Sequence, residues 1–217
     1  IPTMSMSTRL PTSMATAQSV IGVPRRRATT LCNNELLRSS YSTVFPVKPE
    51  GPNSSAMRST ALVAVMLDAN RSMGLPAFLA FNAGVDSGLM IAQYTQASMV
   101  SENKRLAVPA SVDSIPTSAM QEDHVSMGWN AARKLRIAID NLRRILAIEI
   151  FAATRAIDFR APLTASPALT KVVGEVRKVI GAPGPDRILA EQMAQVETLA
   201  RTHTLRLAAE TVTGPLN

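Results

Sequence analysis

One long run without helix breakers sets the strongest limit on what this chain can fold into. Between Ser118 and Pro162 there is no proline and a single glycine, Gly128. Such a run predicts one helix from about residue 119 to 158, roughly 60 Å long at 1.5 Å per residue. Within it Leu135, Ile139, Leu142 and Leu146 are spaced 4, 3 and 4, which is the pattern of a helix-packing seam. Arg133, Lys134, Arg136, Asp140, Arg143 and Arg144 flank the seam. A helix this long cannot cover its own apolar face. The run therefore implies a helical bundle, shared between subunits.

Other segments carry the same helical signature. Ala61 to Met73 is rich in helix formers and meets a stop at Gly74-Leu75-Pro76. Asp86-Ser87 is placed to cap a helix from about 88 to 106, with Lys104 and Arg105 complementing the negative helix end. Pro109 and Pro116 make 108–117 a loop. Ser118-Ala119-Met120-Gln121 fits a capping box for the long helix. Ser166-Pro167 opens a short helix to about Ile180, and Asp186 is placed to cap a last one reaching about Glu210. Strand signals are almost absent, so the expected fold is all-α, with the body over 58–217. Aromatics are only 4% of residues, so aliphatics and Met must fill the core.

Residues 1–57 read differently, as a low-order, basic, Ser/Thr/Pro-rich segment. The net charge is +7. Of this, +5 falls in residues 1–60, which hold seven basic and two acidic groups. The remaining 157 residues carry only +2. Arg25-Arg26-Arg27 has no interleaved aromatics and reads as a solvated patch, so no nucleic-acid partner is expected. A transit-peptide reading and a frameshifted or misassembled start both stay open. One cysteine, Cys32, and two histidines exclude a disulfide scaffold and argue against a His/Cys zinc site. No apolar stretch is long enough for a membrane helix, and no metal site is expected.

Few residues carry chemistry. Glu122, Asp123 and His124 fall in the expected first turn of the long helix. Carboxylates there complement the positive helix end, or one of them works as an acid/base group at a loop–helix junction. His203 reads as a surface helix residue. Asp86-Ser87-Gly88 lacks the flanking glycines of a nucleophile elbow.

Several strings together resemble the C-terminal portion of the histidine ammonia-lyases, in the aromatic amino acid lyase family. They are Leu75-Pro76-Ala77-Phe78-Leu79, the run from Gly84 to Gln93, Ser101-Glu102-Asn103-Lys104, the run from Ala110 to Ser118, and Gln121-Glu122-Asp123-His124-Val125-Ser126-Met127. The resemblance runs from about residue 64 to beyond Arg187. It implies an enzyme that converts L-histidine to trans-urocanate and ammonia in histidine catabolism, cytoplasmic and homotetrameric, with sites built from more than one subunit. It assigns Glu122 as the catalytic glutamate near the substrate amine and imidazole, and Gln121 as a pocket-lining, substrate-binding residue. Phenylalanine and tyrosine ammonia-lyases often carry Gln at the position of Glu122, so Glu122 favours histidine. Met120 stands where Asn is common.

One departure decides the expected activity. The family's electrophile, methylidene-imidazolone (MIO), forms from an internal Ala-Ser-Gly. This sequence contains no Ala-Ser-Gly, and the family's Tyr-Ser-Leu-Arg motif is missing too. The expectation is therefore a C-terminal fragment of a histidine ammonia-lyase that encodes no cofactor and is inactive alone. The alternatives are an oligomerisation or regulatory module that assembles with full-length subunits, and a phenylalanine or tyrosine ammonia-lyase relative.

Overall fold

The computed structural model describes residues 54–216. The expectations for Arg25–Arg27, Cys32 and the low-order segment up to residue 53 lie outside the described residues.

Among the described residues six helices follow in order: α1 Ser54–Leu67, α2 Met90–Leu106, α3 Gly128–Asp158, α4 Pro167–Ile180, α5 Ala190–Arg201 and α6 Thr204–Thr213. Short 3-10 turns occur at Ala77–Leu79 and Ala110–Val112. The described residues form no β-strand, only two isolated bridges. The all-α expectation holds.

The long helix exists but is shorter than its breaker-free run. It has 31 residues, about 46 Å at 1.5 Å per residue, and it begins at Gly128 rather than near 119. The capping box does not form. Ser118, Ala119 and Met120 adopt φ of 55°, 51° and 70°, the left-handed region. The Gln121 amide donates to the Ser118 carbonyl at 3.2 Å, not to its hydroxyl. Absence of proline permits a helix but does not require one, and here a left-handed turn takes its place.

Two other helices also depart from the expected bounds. α1 runs Ser54–Leu67 instead of 61–73. Asp68 stops it: its carboxylate takes the Asn70 amide at 2.9 Å, and its carbonyl takes those of Arg71 and Ser72. Such local side-chain bonding competes with the helical ladder. The expected last helix is two helices, parted at His203, whose φ is 61°. Ser166 caps α4 as expected, accepting from the Leu169 amide at 3.4 Å with Pro167 in the first turn.

The core forms where α1, α2 and α5 pack on the C-terminal half of α3. Ile145, Ile148, Phe151 and Ala152 of α3 are buried there, as are Met57, Val63 and Met66 of α1, Ala92, Met99 and Val100 of α2, and Val196 of α5. Each large aliphatic there contributes about 1.5–3 kcal/mol. α4 and α6 pair beside this core, with Val176 and Ile180 buried.

Two buried amides fix the register of α2 against α3. Gln96 Nε2 donates to the Ile145 carbonyl at 2.9 Å, and Asn103 Nδ2 to the Ala138 carbonyl at 3.3 Å. Donors seven residues apart on α2 meet acceptors seven apart, in reverse order, on α3, so the helices run antiparallel. Asn141 Nδ2 adds bonds to Asn103 Oδ1 and Glu102 Oε2, both at 2.9 Å. Sliding α2 by one turn would strand these amides in apolar surroundings, at about 1–3 kcal/mol each.

The seam read from the sequence lies elsewhere. Leu135, Ile139 and Leu146 are 61%, 40% and 37% exposed. Leu135, Ile139 and Leu142 instead form one wall of an open cleft of about 280 Å³, opposite Leu106 and Val108.

Candidate active-site loop

Gln121 and Glu122 sit on the loop between the 110–112 turn and α3, not in the first turn of the helix. Both side chains are exposed, as are Asp123 and His124. The loop is closed at two levels. Outside, Ser114 Oγ accepts from the Val125 amide at 2.8 Å and donates to the Val125 carbonyl at 3.2 Å. Inside, Thr117 and Glu122 exchange backbone bonds of 2.9 and 3.3 Å. Thr117 Oγ1 also donates to Glu122 Oε2 at 3.4 Å. The left-handed residues 118–120 fill the gap between those ends. Glu122 is thereby shown to solvent on a clamped turn, with its own amide and carbonyl both bonded to Thr117. A carboxylate held this way can accept hydrogen bonds from a cationic amine or an imidazole brought against it.

A second feature holds the opposite side of the bundle. Asp186 does not cap α5, which starts at Ala190. Its carboxylate instead accepts the Ser87 and Gly88 amides at 2.6 and 2.9 Å. In return Asp86 accepts the Asp186 amide at 3.3 Å and the Asn82 amide at 2.9 Å. The two aspartates expected to cap helices thus clasp each other's loops. Three arginines secure the 180–187 turn that carries Asp186. Arg155 donates to Gly184 O, Arg177 to Gly181 O, and Arg187 to Ile180 O and Ala182 O. Arg177 also pairs with Asp158. Burial, then the charges of Arg155 and Arg187, hold the Arg177 guanidinium down to about 10. Burial likewise lowers Arg155, with Arg187 adding to it and Asp186 and Asp86 opposing. The clasp was not read from the sequence. Arg155, an isolated charge in the apolar run Phe151–Ile157, was the one available signal, since a buried Arg needs partners.

A half-open cavity of about 610 Å³ lies between α2, α3 and α5, lined by Ile91, Met99, Ile148, Met193, Arg144 and Glu197 among others. Neither Gln121 nor Glu122 reaches it. The described residues contain no cluster of three or more His, Cys, Asp or Glu arranged for a metal ion. No helix among them is long and apolar enough to cross a membrane.

The residues present do not fit the MIO electrophile. The sole Ser-Gly pair in the sequence is Ser87-Gly88, preceded by Asp86 rather than Ala. Its two amides are committed to Asp186. Gly88 has φ 57°, and a Cβ there would meet Phe78 O at 2.4 Å. That glycine is required by close backbone approach, which is a structural role.

Solved structures share this fold. Histidine ammonia-lyase from Trypanosoma cruzi superposes with a TM-score of 0.67 at 37% identity, covering 73% of this chain and 33% of that one. Tyrosine aminomutase from Streptomyces globisporus gives 0.69 at 31% identity, covering 74% and 31%. The class is therefore the all-α fold shared by these enzymes. The family model for aromatic amino acid lyases matches residues 53–178, and the chain belongs to that family. The histidine ammonia-lyases of Streptomyces avermitilis and Streptomyces coelicolor are 68% and 64% identical to it over 152 residues. The chain spans about 30% of the length of these curated relatives.

Proposed function

We propose that this chain is the C-terminal, glutamate-bearing portion of a histidine ammonia-lyase active site, and that alone it does not deaminate histidine. The observation that supports this best is the pairing of Gln121-Glu122 on an exposed, clamped loop with 64–68% identity to Streptomyces histidine ammonia-lyases. The substrate in this reading is L-histidine and the products are trans-urocanate and ammonia. Glu122 is the catalytic residue and accepts hydrogen bonds from the amine and imidazole of the substrate. Gln121 lines the same pocket and binds substrate. Without an electrophile opposite the substrate, Glu122 has no developing charge to stabilise. The electrophile would be supplied by a segment carrying Ala-Ser-Gly. In the cell the chain would act in the cytoplasm, within a homo-oligomeric, tetrameric bundle.

The test supplies the missing part. The portion of the S. avermitilis enzyme that this chain does not span is expressed and mixed with the chain. The mixture is offered L-histidine, L-phenylalanine and L-tyrosine. Urocanate is read in the ultraviolet. Turnover of histidine alone supports the reading, and turnover only of phenylalanine or tyrosine would assign the chain to those relatives instead.

A second reading is favoured by the exposed seam of Leu135, Ile139 and Leu146. In it the chain is an assembly module for intact subunits. It would copurify with a full-length lyase at micromolar concentration but leave its urocanate production unchanged when Glu122 is replaced.

A further inference from the structure

We infer that the left-handed turn Ser118–Met120 is the element that positions Gln121 and Glu122, and that Met120 is its weak point. This rests on the reading of Glu122 as the working carboxylate. Three successive non-glycine residues have φ of 55°, 51° and 70°. L-residues are strained in this region because Cβ crowds the backbone, and they enter it one at a time far more readily than in series. Strain of this kind persists only where surrounding contacts over-determine it. Here the contacts are the backbone exchange between Thr117 and Glu122, the Gln121 amide on Ser118 O, and the Thr117 hydroxyl on the Glu122 carboxylate.

The three residues differ in how well they suit the region. Ser118 carries a short polar side chain, and Ala119 has only a methyl. Met120 has the highest φ and a long unbranched side chain that is 77% exposed, so packing against the described residues does little to hold it. It is also bonded directly to Gln121. Any opening of the turn therefore swings the two site residues together. Thr117 is the positioning residue that opposes this opening, because it touches Glu122 by amide, carbonyl and hydroxyl at once.

Amide hydrogen exchange on the full 217-residue chain tests this without substrate or partner. Met120→Asn and Met120→Gly replace Met by the two residues that tolerate φ near 70° for different reasons, one by a local side-chain hydrogen bond and one by lacking Cβ. Both should slow exchange at Glu122 and Thr117 about threefold or more. Met120→Val, β-branched and worst suited, should speed it by a similar factor. Thr117→Val should also speed it, with Thr117→Ser restoring the native rate. Core amides of Val100 and Ile148 serve as controls and should not change. Unchanged rates in both the Asn and Gly variants, or the same direction of change in Val as in Asn, would overturn the inference. The exchange result does not depend on catalysis. If Glu122 fails as the catalytic residue in the mixed enzyme while the exchange order holds, the functional reading falls and the positioning mechanism stands. The opposite pair of results separates them the other way.

Discussion

Replacing Asp186 by Ala probes the link that joins the α4–α5 turn to the entry of α2. The carboxylate accepts two amides, at 2.6 and 2.9 Å, from residues 99 and 98 positions away in sequence. Hydrogen bonds to a charged group contribute about 1.5–3 kcal/mol each when buried. These are exposed, so solvent takes over part of the loss, and about 1 kcal/mol each is the appropriate scale. The Asp186 amide keeps its own partner, Asp86, so the loop is loosened and not freed. The expected loss is about 2 kcal/mol for Asp186→Ala and about 1 kcal/mol for Asp186→Asn, which retains one acceptor. At roughly 2–4 °C per kcal/mol for a chain of this size, the alanine variant should melt about 4–8 °C lower. Urea unfolding followed by circular dichroism measures it, with unchanged m-value showing that the denatured state is not the cause. A loss below about 0.5 kcal/mol for the alanine variant would refute the clasp as a stabilising link.

Other substitutions test neighbouring parts of the account. Gly88→Ala puts a Cβ 2.4 Å from Phe78 O at a positive φ, and should cost about 3 kcal/mol or leave the chain unable to fold cooperatively; a urea midpoint near that of the native chain would contradict it. Asp158→Ala leaves Arg177, about a fifth exposed, without its carboxylate and should cost about 1–2 kcal/mol in urea unfolding; a loss below about 0.5 kcal/mol would argue against the pair. Ile145→Ala, at a fully buried position, should cost about 3 kcal/mol. Leu135→Ala should change the stability of the isolated chain by less than about 0.5 kcal/mol, yet weaken association in sedimentation if the exposed seam is an interface.

Helix content was legible because it depends on local composition and period. The Ser166-Pro167 start and the absence of strand patterning agree with the structure, and the breaker-free run is helical over Gly128–Asp158 though not before it. What the sequence pattern missed depends on contacts distant in the chain. Asp86 and Asp186 are good capping residues by type, and nothing local reveals that each is held by the other's loop. Leu135, Ile139 and Leu146 follow a packing period, but period alone does not say which face this chain covers and which it leaves open. The candidate site was readable as a string, Gln121-Glu122-Asp123-His124, from a resemblance. Its geometry was not, because Ser118, Ala119 and Met120 give no warning of three consecutive left-handed residues.

The central claim is that this chain carries a working glutamate for a reaction whose electrophile it does not encode. Urocanate formation from L-histidine tests it in three preparations: the chain alone, the chain mixed with the remaining portion of the S. avermitilis enzyme, and the same mixture carrying Glu122→Ala. The account predicts none in the first, sustained formation in the second, and a loss of at least a hundredfold in the third, on the scale of losing one group that acts in the transition state. Sustained formation by the chain alone, or equal rates with and without Glu122, would contradict it.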